Sequence, residues 1–264
     1  MGKEIEIPGS YDVVGDIAIL KFEDKPVRYK KKVAKKLLEQ QKNIKTVVEK
    51  AEKVKGRLRT INTNWLAGEK KIETVHKESG CRFKVNLEEC YFSPRLSNER
   101  LEVAEKIERG DKVLVMFAGL APYSIVIARK AEPKKVYSVE IGRKCSELAE
   151  INVEKNNVED LVEVIQGDVK LQIPKLVDKG LVFDKIVMPR PQLDDTFLEQ
   201  AFSVSKKGTQ IIYYGFGESI EEIKEQIKEE ADKEGKEIKI LEEDTAGNIA
   251  PYRFRYRICF EVTN

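Results

Sequence analysis

The spacing of apolar positions changes near residue 100. Two short apolar runs, Val13-Val14 and Ile17-Ala18-Ile19-Leu20, flank Gly15-Asp16, which predicts strand, turn and strand. Val33, Leu37 and Leu38 recur among lysines between Val27 and Gln40, the spacing of an amphipathic helix. Further strands are predicted at 45–54, 72–76 and 81–87, with Glu78-Ser79-Gly80 turning between the last two. Beyond residue 100, strands and helices alternate. Strands are expected at 113–117, 136–141, 162–166, 185–188 and 210–214, and helices at 122–130, 144–156, 196–205 and 220–234. Two terminal strands follow, the last of them (252–262) alternating and carrying aromatics. Such alternation predicts an α/β domain at 101–264, with a mostly parallel sheet wound on both faces, preceded by a small α+β unit at 1–100.

The 264 residues are 36% charged, yet the net charge is only +2, so bulk charge does not announce a nucleic-acid partner. Local charge does change the picture. Between Lys25 and Arg59 there are 14 Lys and Arg against three Glu, which reads either as a phosphate-facing stripe or as a solvated helix face. Four cysteines without CxxC spacing and a single histidine, His76, offer no credible zinc ligand set. Cysteines this sparse, with no secretory segment, predict reduced thiols and a cytoplasmic location. No apolar stretch approaches the roughly 18 residues that span a bilayer.

In an open parallel sheet a ligand binds beyond the carboxyl ends of the strands. The first loop there is Phe117-Ala118-Gly119-Leu120-Ala121-Pro122, whose small residues let backbone approach a ligand while Pro122 starts the next helix. The second expected strand ends at Glu140-Ile141, with the acid placed to accept the hydroxyls of an adenine ribose. Gln166-Gly167-Asp168 ends the third, where Asp168 is placed to meet an adenine amino group. Acids at successive strand ends, after a small-residue loop, point to a nucleotide-bearing cofactor.

Tyr91 to Arg100 (YFSPRLSNER), followed by Met116-Phe117-Ala118-Gly119, resembles the archaeal and eukaryotic tRNA guanosine-37 N1-methyltransferases, within the class I S-adenosylmethionine-dependent methyltransferases. The similarity extends to Trp65-Leu66-Ala67-Gly68-Glu69 and Asn248-Ile249-Ala250-Pro251. The resemblance implies a Rossmann-like catalytic domain, an N-terminal tRNA-binding domain, S-adenosyl-L-methionine as cofactor and the anticodon stem-loop of tRNA as partner. It implies neither a protein partner nor a membrane, and a monomer. It casts Glu99 as the base that takes the N1 proton and Arg59 as the cation beside O6. It places Arg100, Phe117, Gly119, Pro122, Glu140, Ile141, Asp168, Val169 and Pro189 around the cofactor, and Arg95, Arg190 and Tyr213 around the substrate.

Three positions depart from the family pattern. Val115 stands where an Asp is usual, and Ala121 where a second glycine is usual. Met188-Pro189-Arg190-Pro191 replaces an Asn-Leu-Pro type motif, and Pro189 has neither a side-chain amide nor an N–H to offer. Arg190 is expected to bring stacking or hydrogen bonding in its place. Three activities remain open from the residues: N1-methylation, with or without methylation of a tricyclic wyosine precursor; aminocarboxypropyl transfer from the same cofactor; and tRNA binding without catalysis.

Overall fold

A computed structural model of the chain describes residues 5–51, 61–190 and 192–264. The first unit is a sheet of order β1-β2-β3-β4, made of β1 (Asp12–Val14), β2 (Ile17–Leu20), β3 (Thr46–Lys50) and β4 (Thr63–Gly68). Helix α1 (Val27–Gln40) buries Val33, Ala34 and Leu37 among Ala18, Leu20, Val47 and Leu66. Its boundaries are those the apolar spacing predicts. Strand β4 has no apolar alternation to announce it and is a strand through its pairing with β3.

A hairpin follows, β5 (Glu73–Glu78) and β6 (Cys81–Asn86). Its outer edge is closed by side chains rather than by another strand. Asn152 of helix α4 (Arg143–Lys155) accepts from the Lys84 N–H at 2.6 Å and donates to the Lys84 carbonyl at 3.0 Å. Asn156, at the end of α4, makes the same pair of bonds with Arg82, at 2.8 and 2.7 Å. Two amides thus take the place of a neighbouring strand, satisfying edge groups that would otherwise be open to pairing with another chain. The hairpin therefore packs on the second unit, although its sequence lies in the first hundred residues.

The large sheet has the order β12-β13-β11-β10-β7-β8-β9. Its strands are β7 (Lys112–Met116), β8 (Lys135–Glu140), β9 (Val162–Gln166), β10 (Phe183–Met188), β11 (Ser205–Gly217), β12 (Ile238–Ala250) and β13 (Arg253–Val262). Strands β7 to β11 run parallel, while β13 is antiparallel to β11. One face is covered by the hairpin with α2 (Ser97–Glu105), α3 (Pro122–Lys130) and α4. The other is covered by α5 (Val169–Asp178), α6 (Leu198–Ser203) and α7 (Ile220–Lys233). Helix α5 escapes the sequence pattern because Pro174 lies within it. It forms because the Asp168 side chain caps its start and Ile173 and Leu176 bury against the sheet. Among the described residues no helix is long and apolar enough to cross a membrane.

The expectation of reduced thiols is corrected at two positions. Cys90, in the loop before α2, is disulfide-bonded to Cys145 on α4, 55 residues away, with Cα atoms 5.1 Å apart. Cys81 and Cys259 are buried free thiols. Cross-linking a loop of this length restricts the unfolded chain by about 2–4 kcal/mol. A Cys90→Ser variant is therefore expected to unfold at lower guanidinium concentration than the parent, and reductant to lower the parent's midpoint to nearly the same value. Coincident midpoints with and without reductant would show that the link contributes nothing.

Candidate cofactor and base site

Strand order reverses between β7 and β10, because β7, β8 and β9 step outward on one side and β10 returns on the other. The crevice at this switch point is bounded by the loops after Met116 and Met188. The first loop is tightly wound: Phe117, Gly119 and Ala121 all have positive φ, at 59°, 59° and 64°. Ala121 occupies the left-handed conformation where the family favours glycine, a strain of about 1–2 kcal/mol. The neighbouring Pro122 begins α3. Phe117 packs edge-on against Phe197, with ring centroids 4.9 Å apart.

Glu140 closes the loop from the end of β8. Its Oε2 accepts from the Gly119 N–H and its Oε1 from the Gly142 N–H, both at 2.7 Å. Burial pushes the Glu140 carboxyl above its ordinary value, against the pull of those backbone donors. The Ile141 backbone also donates to this carboxylate, so three backbone groups fix it at the mouth of the loop, where a ribose hydroxyl can meet a remaining lone pair. These residues therefore fit an adenosine ribose. Ile141 follows Glu140 and is half-buried, Asp168 accepts from the Lys170 N–H at 3.0 Å, and Val169 is buried in the core under α5. Val115 lies wholly inside the core.

Glu99 stands in the first turn of α2 and is bonded to two other elements. Its Oε1 accepts from the Tyr123 hydroxyl, one residue after Pro122, and from Arg255 Nη2 at 2.9 Å. Its Oε2 accepts from Arg255 Nη1 at 2.6 Å. The Arg255 guanidinium, carried by β13, lies 4.0 Å over the ring of Tyr214 on β11. Glu99 also lines an open cleft of about 740 Å³ between α2 and the β12–β13 hairpin, with Arg95, Asn98 and Thr245. The expected base thus sits within two side chains of the expected cofactor loop.

Other expected site residues have different surroundings. Arg100 is 1% exposed and forms a two-pronged pair with Glu78, at 2.5 and 2.6 Å, while also donating to the Ser93 carbonyl at 3.0 Å. It packs over Phe92 and beside Tyr123, so it supports the site from below rather than facing it. Arg95 is exposed and donates to Asp12 on β1 at 2.5 Å, tying the first sheet to the turn before α2. Arg190 and Tyr213, expected at the substrate, are turned inward, with 5% and 0% exposure. Arg190 donates to the Tyr213 hydroxyl at 3.0 Å and to the Leu193 and Asp195 carbonyls at 2.6 and 2.7 Å. The Pro189 corner explains this, because the Arg190 N–H folds back to the Met188 carbonyl at 2.7 Å and reverses the chain. Arg59 lies outside the described residues. Tyr123, Arg255 and Glu78 are functional neighbours that the sequence reading does not single out.

A sheet of this order, with a small-residue loop after its first parallel strand and an acid closing that loop from the second, defines a Rossmann-like methyltransferase. The chain belongs to the TRM5/TYW2 methyltransferase family: the TRM5/TYW2 methyltransferase domain matches residues 74–241, and the TYW2 N-terminal domain matches residues 2–71. The chain is 34% identical to the tRNA (guanine(37)-N(1))-methyltransferase Trm5b of Pyrococcus abyssi, over 97% of this chain and 76% of the relative. The crystal structure of that protein superposes with a TM-score of 0.86, with the same coverage of both chains. The tRNA (guanine(37)-N(1))/4-demethylwyosine(37)-methyltransferase Taw22 of Nanoarchaeum equitans is 31% identical, over 94% of this chain and 98% of the relative. A solved complex of aTrm5 with tRNALeu matches with a TM-score of 0.86 at 30% identity, covering 98% of this chain and 73% of that one.

Proposed function

We propose that the chain methylates N1 of guanosine 37 in the anticodon loop of tRNA, using S-adenosyl-L-methionine. The observation that carries the reading is the joining of base and cofactor loop: the Glu99 carboxylate is held by Tyr123, the second residue of the helix that begins where the Gly119 loop ends. The cofactor supplies an electrophilic methyl group on a sulfonium, which leaves as a neutral thioether. Glu140 and the Gly119 loop hold its ribose, with Asp168 at the adenine end. Glu99 removes the N1 proton, freeing the lone pair that attacks. Arg59 is assigned to O6, where negative charge builds.

The RNA partner is supported by the placement of local charge. Arg28, Lys31, Lys32 and Lys35 are exposed at i, i+3, i+4 and i+7 on α1, which puts four cations on one helical face suited to phosphates. The resemblance to Taw22 supports a second substrate, a partly built wyosine base. Pro189 favours it as well, since the corner after β10 presents no amide for a plain purine edge. Mass spectrometry of nucleosides separates methyl transfer to guanosine from its rivals. Unmodified tRNA incubated with the protein and labelled S-adenosyl-L-methionine is expected to yield labelled 1-methylguanosine. Label appearing as an aminocarboxypropyl nucleoside, or tRNA binding with no label transferred, would replace the reading with one of its rivals.

A further inference from the structure

Glu99 is held more firmly than proton transfer alone requires. An ionised carboxylate offers about four lone-pair sites. The Tyr123 hydroxyl and Arg255 Nη2 occupy both of those on Oε1, and Arg255 Nη1 occupies one on Oε2. Among the described residues nothing occupies the remaining site on Oε2. The two side chains of the pair are only 11% and 14% exposed, so this geometry is not a transient surface contact. Tyr214 supplies a platform beneath the guanidinium, and its buried hydroxyl lies against that of Tyr123.

We propose that Arg255 is the positioning residue of the methyl-transfer reaction: it and Tyr123 fix the Glu99 carboxylate so that only one Oε2 lone pair faces the N1 proton. This rests on the reading of Glu99 as the base. The proton moves from N1 to Oε2, and Arg255 keeps its own, because the bonds and charge of Glu99 hold the guanidinium protonated in spite of burial. Burial likewise keeps the Tyr123 hydroxyl a donor rather than a phenolate. The cation sets the direction of the carboxylate through its two parallel bonds.

Other charges face the same place and compete for these roles. They are Arg95 in the turn before α2, Glu102 and Glu105 on α2, Lys106 just after it, and Glu242 and Asp244 on β12. Arg257, the next outward-facing arginine of β13, is taken up by Glu102 at 2.6 Å and Asp244 at 2.7 Å, with Glu242 at 3.7 Å. Arg257 thus has carboxylates of its own, which leaves Arg255 to Glu99.

The test is single-turnover methylation of guanosine-37 tRNA by the full chain and by Arg255→Lys, Arg255→Met and Tyr123→Phe, with the rate at saturation read apart from the half-saturating tRNA concentration. Arg255→Met is expected to lower the saturating rate at least about tenfold while the half-saturating concentration changes little. Arg255→Lys keeps the charge without the two-pronged geometry and should recover only part of that loss. Affinity for S-adenosyl-L-methionine, read by calorimetry, should stay within about twofold. An unchanged saturating rate, or a loss of rate matched by an equal loss of cofactor or tRNA affinity, would make Arg255 merely structural and overturn the proposal. Should Arg255→Met fail to fold, Tyr123→Phe decides, since it deletes one oxygen: an unchanged saturating rate there also overturns it. Full activity in Glu99→Gln would instead remove the base itself, an outcome separate from any loss at Arg255.

Discussion

Glu99→Gln is expected to lower the single-turnover methylation rate by about 10²–10⁴-fold, the usual contribution of a positioned general base. Affinity for S-adenosyl-L-methionine should change little, because Glu140 and the Gly119 loop, rather than Glu99, are the residues proposed to hold the ribose. An amide can still accept from the Tyr123 hydroxyl, so the side chain remains in place. It cannot accept on both atoms from Arg255, however, and turns an N–H₂ toward Nη1 where Oε2 now accepts at 2.6 Å. Some loss of thermal stability should accompany the loss of rate, and the kinetics must be read well below the variant's unfolding temperature. A variant that methylates at the parental rate would remove Glu99 from the chemistry, whatever its stability.

The sequence exposes those parts of the site whose signals are local. Gly119 and Glu140 lie 21 residues apart, one strand-helix-strand step, and the structure joins them by a direct hydrogen bond. Their relation follows from the alternation of elements, which the apolar spacing carries. The partner of Glu99 has no such signal, because Arg255 is 156 residues away and reaches it only after the terminal strand inserts beside β11. A trace of it is nevertheless present in the chain. Arg253, Arg255 and Arg257 alternate along β13, and cations on a largely buried strand need carboxylates across from them. Glu99 and Glu102, at i and i+3 on α2, are two of those carboxylates. The inward turn of Arg190 was equally hidden. Pro189 fixes the backbone direction before the arginine, yet which way the arginine points depends on the Tyr213 hydroxyl and on carbonyls that only the folded loop brings together. The disulfide also joins residues whose proximity is created by the packing of α4 against the loop before α2.

The largest expected effect on stability lies one layer below the base. Glu78→Ala should cost about 3–5 kcal/mol, because it leaves the Arg100 charge buried without a partner. The side chains of the pair are 2% and 3% exposed, so water cannot readily take the place of the carboxylate. His76 adds to the arrangement: its Nδ1 accepts from the Gly15 N–H, which leaves the proton on Nε2, 3.5 Å from Glu78 Oε2. Burial alone would raise the Glu78 carboxyl, but His76 and Arg100 outweigh it and hold it below its ordinary value of 4.5. A depressed folded-state value means that Glu78 stabilises the protein fully above about pH 4.5 and less as pH falls through its lowered value. The parent should therefore lose stability on acidification below that point, and Glu78→Ala should lose less over the same interval, so that the two denaturation midpoints converge. A double variant, Glu78→Leu with Arg100→Met, should recover most of the loss, since well-packed apolar side chains commonly replace a buried pair at little cost. It should not recover activity in step. Arg100 also holds the Ser93 carbonyl before α2 and packs beside Tyr123, so its removal loosens the helix turn that presents Glu99 even where the fold is restored. Equal recovery of stability and methylation in the double variant would show that the pair serves packing alone.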